Sequence, residues 1–68
     1  MEKHTLTEWR RLKNVSQDQL ADAINVHRVT LAKWELGKHK MNITAAVKAC
    51  DFLGISLDQV IFLTEDAT

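Results

Sequence analysis

The segment from Ser16 to Gly37 constrains the fold more strongly than any other part of this chain. Ser16 followed by Gln19 is a capping box, in which each side chain binds a free backbone N–H at a helix start. Asn25 stands where that helix should end, because asparagine tolerates the left-handed conformation of a helix terminus. Gly37 marks the end of a second helix. The segment therefore predicts two short helices joined by a tight turn.

The second of these helices is predicted to have one inner and one outer face. Leu31 and Trp34 share a face at helical spacing and should point inward. The outer face then consists of Arg28, Val29, Thr30, Ala32 and Lys33. A helix, a short turn and a second helix with an adaptable outer face are the organisation of a helix-turn-helix DNA-binding unit. We therefore expect the chain to bind double-stranded DNA.

Length and composition favour a small all-α domain. The 68 residues, of which 46% are hydrophobic and none is proline, are near the lower size limit for a fold without disulfides or metals. A single cysteine excludes an internal disulfide, and no apolar run approaches the ~20 residues of a transmembrane helix. The first residues are too polar for a signal peptide. We expect a protein of the reducing cytoplasm, with no membrane association, cofactor or small-molecule ligand.

The formal charge of the chain is zero, but the charges are unevenly distributed. Between His27 and Lys48 there are five Lys or Arg residues against the single acid Glu35, and from Ala49 onward there are four acids and no base. A phosphate backbone would attract the basic end of such a charge dipole. The alternative is an ordinary solvated surface of mixed charge.

Capping residues outside this segment predict three more helices, which makes five in all. Thr5 with Glu8 and Ser56 with Gln59 are further capping boxes, and Asn42 can cap the fourth helix. The expected apolar faces are Leu6, Trp9 and Leu12 in the first helix, Ile43, Ala46, Val47, Cys50 and Leu53 in the fourth, and Leu57, Val60 and Ile61 in the fifth.

The chain resembles the Cro/CI-type (XRE-family) helix-turn-helix domain of bacterial and phage repressors in the run WRRLKNVSQDQLADAINVHRVTLAKWELGKHK, continued by FLGISLDQVI. The resemblance covers about residues 6–61, and its most specific parts are SQ-x-x-LA, WE-x-GK and LGIS-LD. It implies a compact, lambda-repressor-like five-helix domain over residues 1–68. The helix-turn-helix would occupy about 16–37, and residues 64–68 would form a polar tail.

Four residues depart from the family pattern, all at turns or helix caps. Asn14 and Asn25 stand where the family often has Gly, and His27 stands where it often has Ser or Thr. Met41 stands where Pro is common. These departures bear on local geometry and leave the expected fold unchanged.

The resemblance also implies which residues contact DNA, since the start of the third helix enters the major groove in this family. The candidates for base contact are Arg28, Val29, Ala32 and Lys33. Arginine can donate two hydrogen bonds to guanine O6 and N7, and small apolar side chains suit the thymine methyl group. Gln17 matches the family residue that opens the second helix and binds a DNA phosphate. The other candidates for phosphate contact are His27, Thr30, Lys38, Lys40 and Asn42.

The alternatives to these assignments are simple ones. Arg28 could touch only phosphate, and Lys38 and Lys40 could belong to an ordinary solvated loop.

Arg10 and Glu35 match a family pair that forms a partly buried ion pair, whose role would be structural.

Catalytic and metal chemistry are poorly supported by the sequence. No two of the possible metal ligands stand at ligand spacing on one element, these being His4, His27, His39 and Cys50. Cys50 falls on an inner stripe and should be a buried thiol that behaves as a small hydrophobe. So short a chain leaves little room for a cleft with an oxyanion site, and we expect no enzyme activity.

Phe62 and Leu63 are the expected dimer contact. In a fifth helix, at ~100° per residue, Phe62 cannot share the stripe formed by Leu57, Val60 and Ile61. Exposed aromatic surface at the end of a domain usually marks a contact site. The alternative is a chain that folds back and buries Phe62 within the monomer.

The sequence therefore predicts a small Cro-like transcriptional repressor that binds a palindromic operator as a homodimer. One alternative is a protein-interaction module, such as an antirepressor or an assembly factor, on the same scaffold. A DNA-binding antitoxin is another.

Overall fold

The computed structural model describes residues 2–62. Within this range the α-helices are α1 (Leu6–Leu12), α2 (Gln17–Ala23), α3 (Arg28–Glu35) and α4 (Ile43–Leu53). A 3-10 turn at Leu57–Gln59 follows α4. Two short strands, β1 (His4–Thr5) and β2 (Val60–Ile61), pair in parallel, with His4 opposite Val60 and Thr5 opposite Ile61. The predicted helical fold is confirmed, and the terminal ribbon is an addition to it.

The helix starts are fixed by the capping residues that the sequence indicates. Thr5 Oγ1 accepts the Glu8 N–H at 3.2 Å, and Glu8 Oε1 accepts the Thr5 N–H at 2.9 Å. Ser16 and Gln19 exchange the same pair of bonds at 3.0 and 2.8 Å. Asn42 Oδ1 accepts a backbone N–H of the first turn of α4 at 2.8 Å. These bonds satisfy donors that have no partner within a helix.

Asparagine closes both of the first two helices. Asn14 and Asn25 each have a φ of 60°, the left-handed conformation that glycine usually supplies. Behind them, the Val15 N–H donates to Arg10 O and the Val26 N–H to Ala21 O, each at 2.9 Å. The prediction of a left-handed residue at Asn25 is confirmed, and Asn14, at a predicted turn, adopts the same conformation.

The core lies between α2, α3 and α4 and is closed by α1 and β2. Leu20 and Leu31 have no exposed surface, so they form the centre of the contact between α2 and α3. The buried cluster consists of Leu6, Trp9, Leu20, Ala21, Ile24, Leu31, Ala45, Ala49, Cys50, Leu53 and Val60. Cys50 is buried as predicted, and its burial and the nearby Asp51 carboxylate raise the pKa of its thiol.

The predicted fifth helix is wrong. Its backbone makes one 3-10 turn and then runs extended into β2. The Trp9 indole N–H donates to Gln59 O at 2.7 Å, so this carbonyl is not available as an acceptor within an α-helix. In addition, β2 pairs with β1. Val60 is buried and Ile61 is exposed, the alternation of a strand, and β-branched residues favour this conformation.

Two predicted apolar faces also differ from the structure. Leu12, Ile43 and Val47 are exposed by 62%, 66% and 41%. The buried face of α4 consists of Ala45, Ala46, Ala49, Cys50 and Leu53. Small alanines allow the backbones of α4 and α2 to approach closely, whereas the sequence pattern gives more weight to the larger Ile43 and Val47. Leu12 is the last residue of α1 and is followed directly by the turn at Lys13 and Asn14.

Candidate nucleic-acid interface

The turn between α2 and α3 positions the face that the sequence assigns to DNA. His27 is the N-cap of α3, and its Nδ1 accepts the Val29 N–H at 3.3 Å. An accepting Nδ1 places the proton of the neutral ring on Nε2, which leaves that nitrogen as a donor at the helix start. Leu31 anchors the opposite side of α3 in the core. The helix is thereby held with its N-terminal turn at the surface.

The outer face of α3 contains the predicted base-contacting residues. Arg28, Val29 and Lys33 are exposed, and Ala32 is half-buried between them. Thr30, a predicted phosphate contact, is also half-buried. The structure therefore brings four candidate base-contacting side chains to one side of one helix.

An open depression runs beside α3 and the loop that follows it. It is lined by Thr30, Lys33, Trp34, His39, Lys40 and Asn42. Basic side chains line it and no acidic one does, so the depression favours anions. Three of the predicted phosphate contacts, Thr30, Lys40 and Asn42, thus meet at one place. The Asn42 oxygen is occupied by the helix cap, which leaves its NH₂ group as the donor.

His39 lies beside the predicted phosphate contacts, which sequence reasoning did not indicate. The sequence suggests His39 only as a possible metal ligand, yet it is exposed and lines the depression beside Lys40. The sequence signal that could have indicated this location is the position of His39 between Lys38 and Lys40 in a basic loop. Lys38 is exposed in the same loop but does not line the depression.

Gln17, a predicted phosphate contact, also makes a hydrogen bond within the protein. Its Nε2 donates to Glu35 Oε1 at 2.8 Å, and the residue is half-buried. One amide N–H is therefore directed into the protein, and only the second is available to a phosphate.

Arg10 and Glu35 meet as the resemblance implies. Arg10 Nε lies 2.8 Å from Glu35 Oε2, and Nη2 lies 3.3 Å from Oε1. Arg10 Nη1 also donates to Val15 O at 2.9 Å. With Gln17 as a further donor, the Glu35 carboxylate connects α1 and α2 to the last turn of α3. These bonds fix the orientation of α3 relative to its neighbours.

A second ion pair joins α2 to α3 at the surface. Arg28 Nε lies 3.2 Å from Asp18 Oδ1, with the two side chains 55% and 80% exposed. Sequence reasoning did not single out Asp18. The two residues stand ten positions apart on different helices, and only the turn between these helices brings them together.

Phe62 is exposed, although the helical argument for its exposure is wrong. It follows β2 and is 41% exposed, and the neighbouring Ile61 is 46% exposed. Both residues border a small cavity next to Trp34 and Met41. Leu63 and the tail at 64–68 lie outside the described residues.

Residues 2–62 contain neither a membrane-spanning helix nor a cluster of three or more possible metal ligands. No helix in that range combines the length and the apolar character needed to cross a membrane. Over the same residues, no three His, Cys, Asp or Glu side chains are grouped in a way that could hold a metal ion.

Comparisons with known proteins give consistent matches. A family model described as helix-turn-helix matches residues 6–60. The chain is 34% identical, over 94% of its length and 96% of the relative, to an uncharacterized HTH-type transcriptional regulator of Methanocaldococcus jannaschii. It is 32% identical to the HTH-type transcriptional activator BcrR of Enterococcus faecalis, over 82% of this chain but only 28% of BcrR.

Proposed function

Because this chain belongs to the Cro/CI-type helix-turn-helix family of DNA-binding transcriptional regulators, we propose that it is a small Cro-like repressor that binds a palindromic operator as a homodimer. One observation carries the proposal. The exposed face of α3 lies beside a depression whose charged lining residues, Lys33 and Lys40, are both basic. Such a surface offers specific donors to base edges and positive charge to the neighbouring phosphates.

The base contacts fall to the outer face of α3. Arg28 is exposed at the first turn, where a helix lying in the major groove reaches base edges, and its guanidinium matches guanine O6 and N7. Val29 and Ala32 suit a thymine methyl group, and Lys33 can donate to guanine.

The phosphate contacts fall to the residues around that helix. They are Gln17, His27, Thr30, Lys38, Lys40 and Asn42. For Gln17 the contact uses the second amide N–H together with the free backbone N–H groups at the start of α2, because the first amide N–H binds Glu35.

The homodimer is supported by the apolar surface that ends β2. Ile61 and Phe62 are both exposed there, and a two-fold interface uses the same patch on both subunits. Leu63, the other predicted dimer contact, stays part of the proposal. Two copies would then read half-sites about 34–36 Å apart.

Repression would follow from occupancy of the operator, which blocks access of the polymerase without catalysis or a cofactor. The likeness to BcrR, which is described as an activator, favours a second candidate in which the same DNA contacts recruit the polymerase. A reporter gene with the operator placed within or upstream of the promoter distinguishes the two roles. Lower expression from the first arrangement supports the repressor, and higher expression from the second supports the activator.

The test of DNA binding is selection of bound duplexes from a random pool at two salt concentrations. We expect a two-fold symmetric sequence with half-site centres about 10–10.5 base pairs apart, and an affinity that falls steeply with salt. No enriched sequence and no binding to random duplex would contradict the proposal, and would favour a protein-interaction module.

A further inference from the structure

The residue proposed to read a base is already held by a carboxylate in the free protein. Arg28 Nε lies 3.2 Å from Asp18 Oδ1, so the two side chains form an ion pair. A guanidinium has five N–H donors, and the Asp18 carboxylate approaches it on the Nε side. The donors on Nη1 and Nη2 remain available, and these two groups form the end-on pair of bonds to guanine O6 and N7.

We propose that Asp18 is a positioning residue for base-pair specificity, which holds the Arg28 guanidinium so that its end-on donors face a guanine. The inference rests on the proposed function, and it identifies a residue that sets how well the protein discriminates between DNA base pairs. Asp18 does not itself read the base. It restricts the rotamers of a long side chain before DNA arrives, and so reduces the side-chain entropy that is lost on binding.

The location of the pair supports a role in recognition rather than in stability. Both side chains are mainly exposed, and exposed ion pairs contribute little to folding free energy. Asp18 lies in the first turn of α2, one residue from Gln17, and Arg28 begins α3. The carboxylate therefore sits between a proposed phosphate contact and a proposed base contact.

The negative charge of Asp18 has a second effect. A carboxylate at a DNA-facing surface is repelled by phosphates, which weakens binding to every sequence. At the correct site, the bonds from Arg28 to guanine offset the repulsion between Asp18 and the phosphates. At a wrong base pair these bonds are missing, so the repulsion is not offset. Asp18 thus lowers affinity for random DNA and raises discrimination, which is how repulsive elements contribute to specificity.

A simpler explanation is that Asp18 only stabilises α2, because an acid in the first turn of a helix interacts favourably with the helix dipole. The two explanations differ in a measurable quantity. A helix-stabilising role changes the melting temperature and leaves the ratio of affinities for two DNA sequences unchanged.

The experiment measures the affinity of the full chain for three duplexes. These are the selected operator, the same duplex with the base pair assigned to Arg28 substituted in both half-sites, and a random duplex. Asp18→Asn removes the charge with almost no change of shape. Asp22→Asn is the matched control, since Asp22 is exposed one turn later on the same helix.

We expect Asp18→Asn to bind random duplex more tightly and to lose about 2- to 5-fold in discrimination between the first two duplexes, the range of an exposed ion pair. Asp22→Asn should leave that discrimination unchanged. Asp18→Glu, which keeps the carboxylate, should recover part of the loss. In an Arg28→Ala background, Asp18→Asn should no longer alter discrimination, since the positioned group is gone.

The inference is overturned if Asp18→Asn leaves discrimination intact, if it alters discrimination equally in the Arg28→Ala background, or if no base pair depends on Arg28. Wild-type protein that enriches no sequence would instead refute the proposed function itself. Thermal melting of each variant separates a folding defect from a recognition defect. If Asp18→Asn does not fold, Asp18→Glu is compared with wild type instead. The longer side chain moves the carboxylate relative to Arg28, so a positioning role requires a changed ratio of affinities for the first two duplexes.

Discussion

Arg10 and Glu35 form a forked ion pair that joins the first and third helices, with nitrogen–oxygen distances of 2.8 and 3.3 Å. Their side chains are only 10% and 4% exposed, so solvent screens the pair weakly. Arg10→Met should therefore lower the free energy of unfolding by about 3 kcal/mol, because it leaves the Glu35 carboxylate buried without its main partner.

Urea denaturation measures this loss, and Arg11→Met is the control, since Arg11 is exposed on the same helix. The double variant Arg10→Met/Glu35→Gln should recover part of the lost stability. Strictly additive losses across the double-mutant cycle would show that the two residues do not interact energetically.

Arg28 and Lys38 should contribute to DNA binding in different ways. Arg28→Ala should cost about 1–3 kcal/mol on the preferred site and relax discrimination at one base pair. Lys38→Ala should weaken binding to all sequences alike and reduce the salt slope by about 0.9. Titrations of both variants with specific and random duplexes check this, and equal losses of Arg28→Ala on both duplexes would identify Arg28 as another phosphate contact.

Phe62 offers a test of the proposed dimer. Phe62→Glu should give a folded monomer with much weaker operator binding, because a charge on an apolar interface opposes association. Phe52→Glu is the matched control, since Phe52 is 50% exposed on α4. Sedimentation velocity and circular dichroism give the oligomeric state and the fold. A Phe62→Glu protein that stays dimeric, or that does not fold, places the interface elsewhere.

Asn25 should tolerate glycine but not alanine. Its φ of 60° strains any residue with a Cβ that lacks asparagine's local hydrogen bonding. Asn25→Ala should lower the free energy of unfolding by about 1 kcal/mol, and Asn25→Gly should be close to neutral. Thermal melts of the two variants give the comparison, and equal melting temperatures would argue against strain at this turn.

Cys50 should be unreactive in the folded protein. Burial is the first cause that raises the pKa of its thiol, and the Asp51 carboxylate is the second. A raised pKa means that the stability contribution of the neutral thiol is complete below the pKa of the unfolded chain and is lost as pH rises through the folded one. Iodoacetamide should label Cys50 only under denaturing conditions, and rapid labelling at pH 8 without denaturant would contradict its burial.

The features predictable from the sequence are those set by neighbouring residues. Ser16 with Gln19 fixes the start of α2, and Asn25 its end, through bonds and backbone preferences that act within a few positions. The inward position of Leu31 follows from helical spacing in the same way. The DNA contacts of Arg28 and its neighbours stay predictions, drawn from a resemblance and supported by exposure.

The features that sequence reasoning missed depend on residues far apart in the chain. The apolar residues after Gly54 fit a helix locally, yet the Trp9 indole captures Gln59 O and β2 pairs with β1. The apolar pattern of α4 fits two rotations of the helix about its own axis. Packing of the alanines against the core selects the rotation that leaves Val47 exposed to solvent. The contact between Asp18 and Arg28 likewise requires the three-dimensional turn.

The bond from Trp9 to Gln59 joins positions fifty residues apart and, with the paired strands, closes the backbone into a ring. During synthesis the residues of α1 to α4 are all translated before Gln59, so this closure cannot form until the four helical segments have been made. The entropic cost of closing so long a loop falls once the intervening helices have formed, because they shorten the flexible chain between Trp9 and Gln59. Trp9 fluorescence should therefore report ring closure, while Trp34, within α3, reports the earlier assembly of the helices.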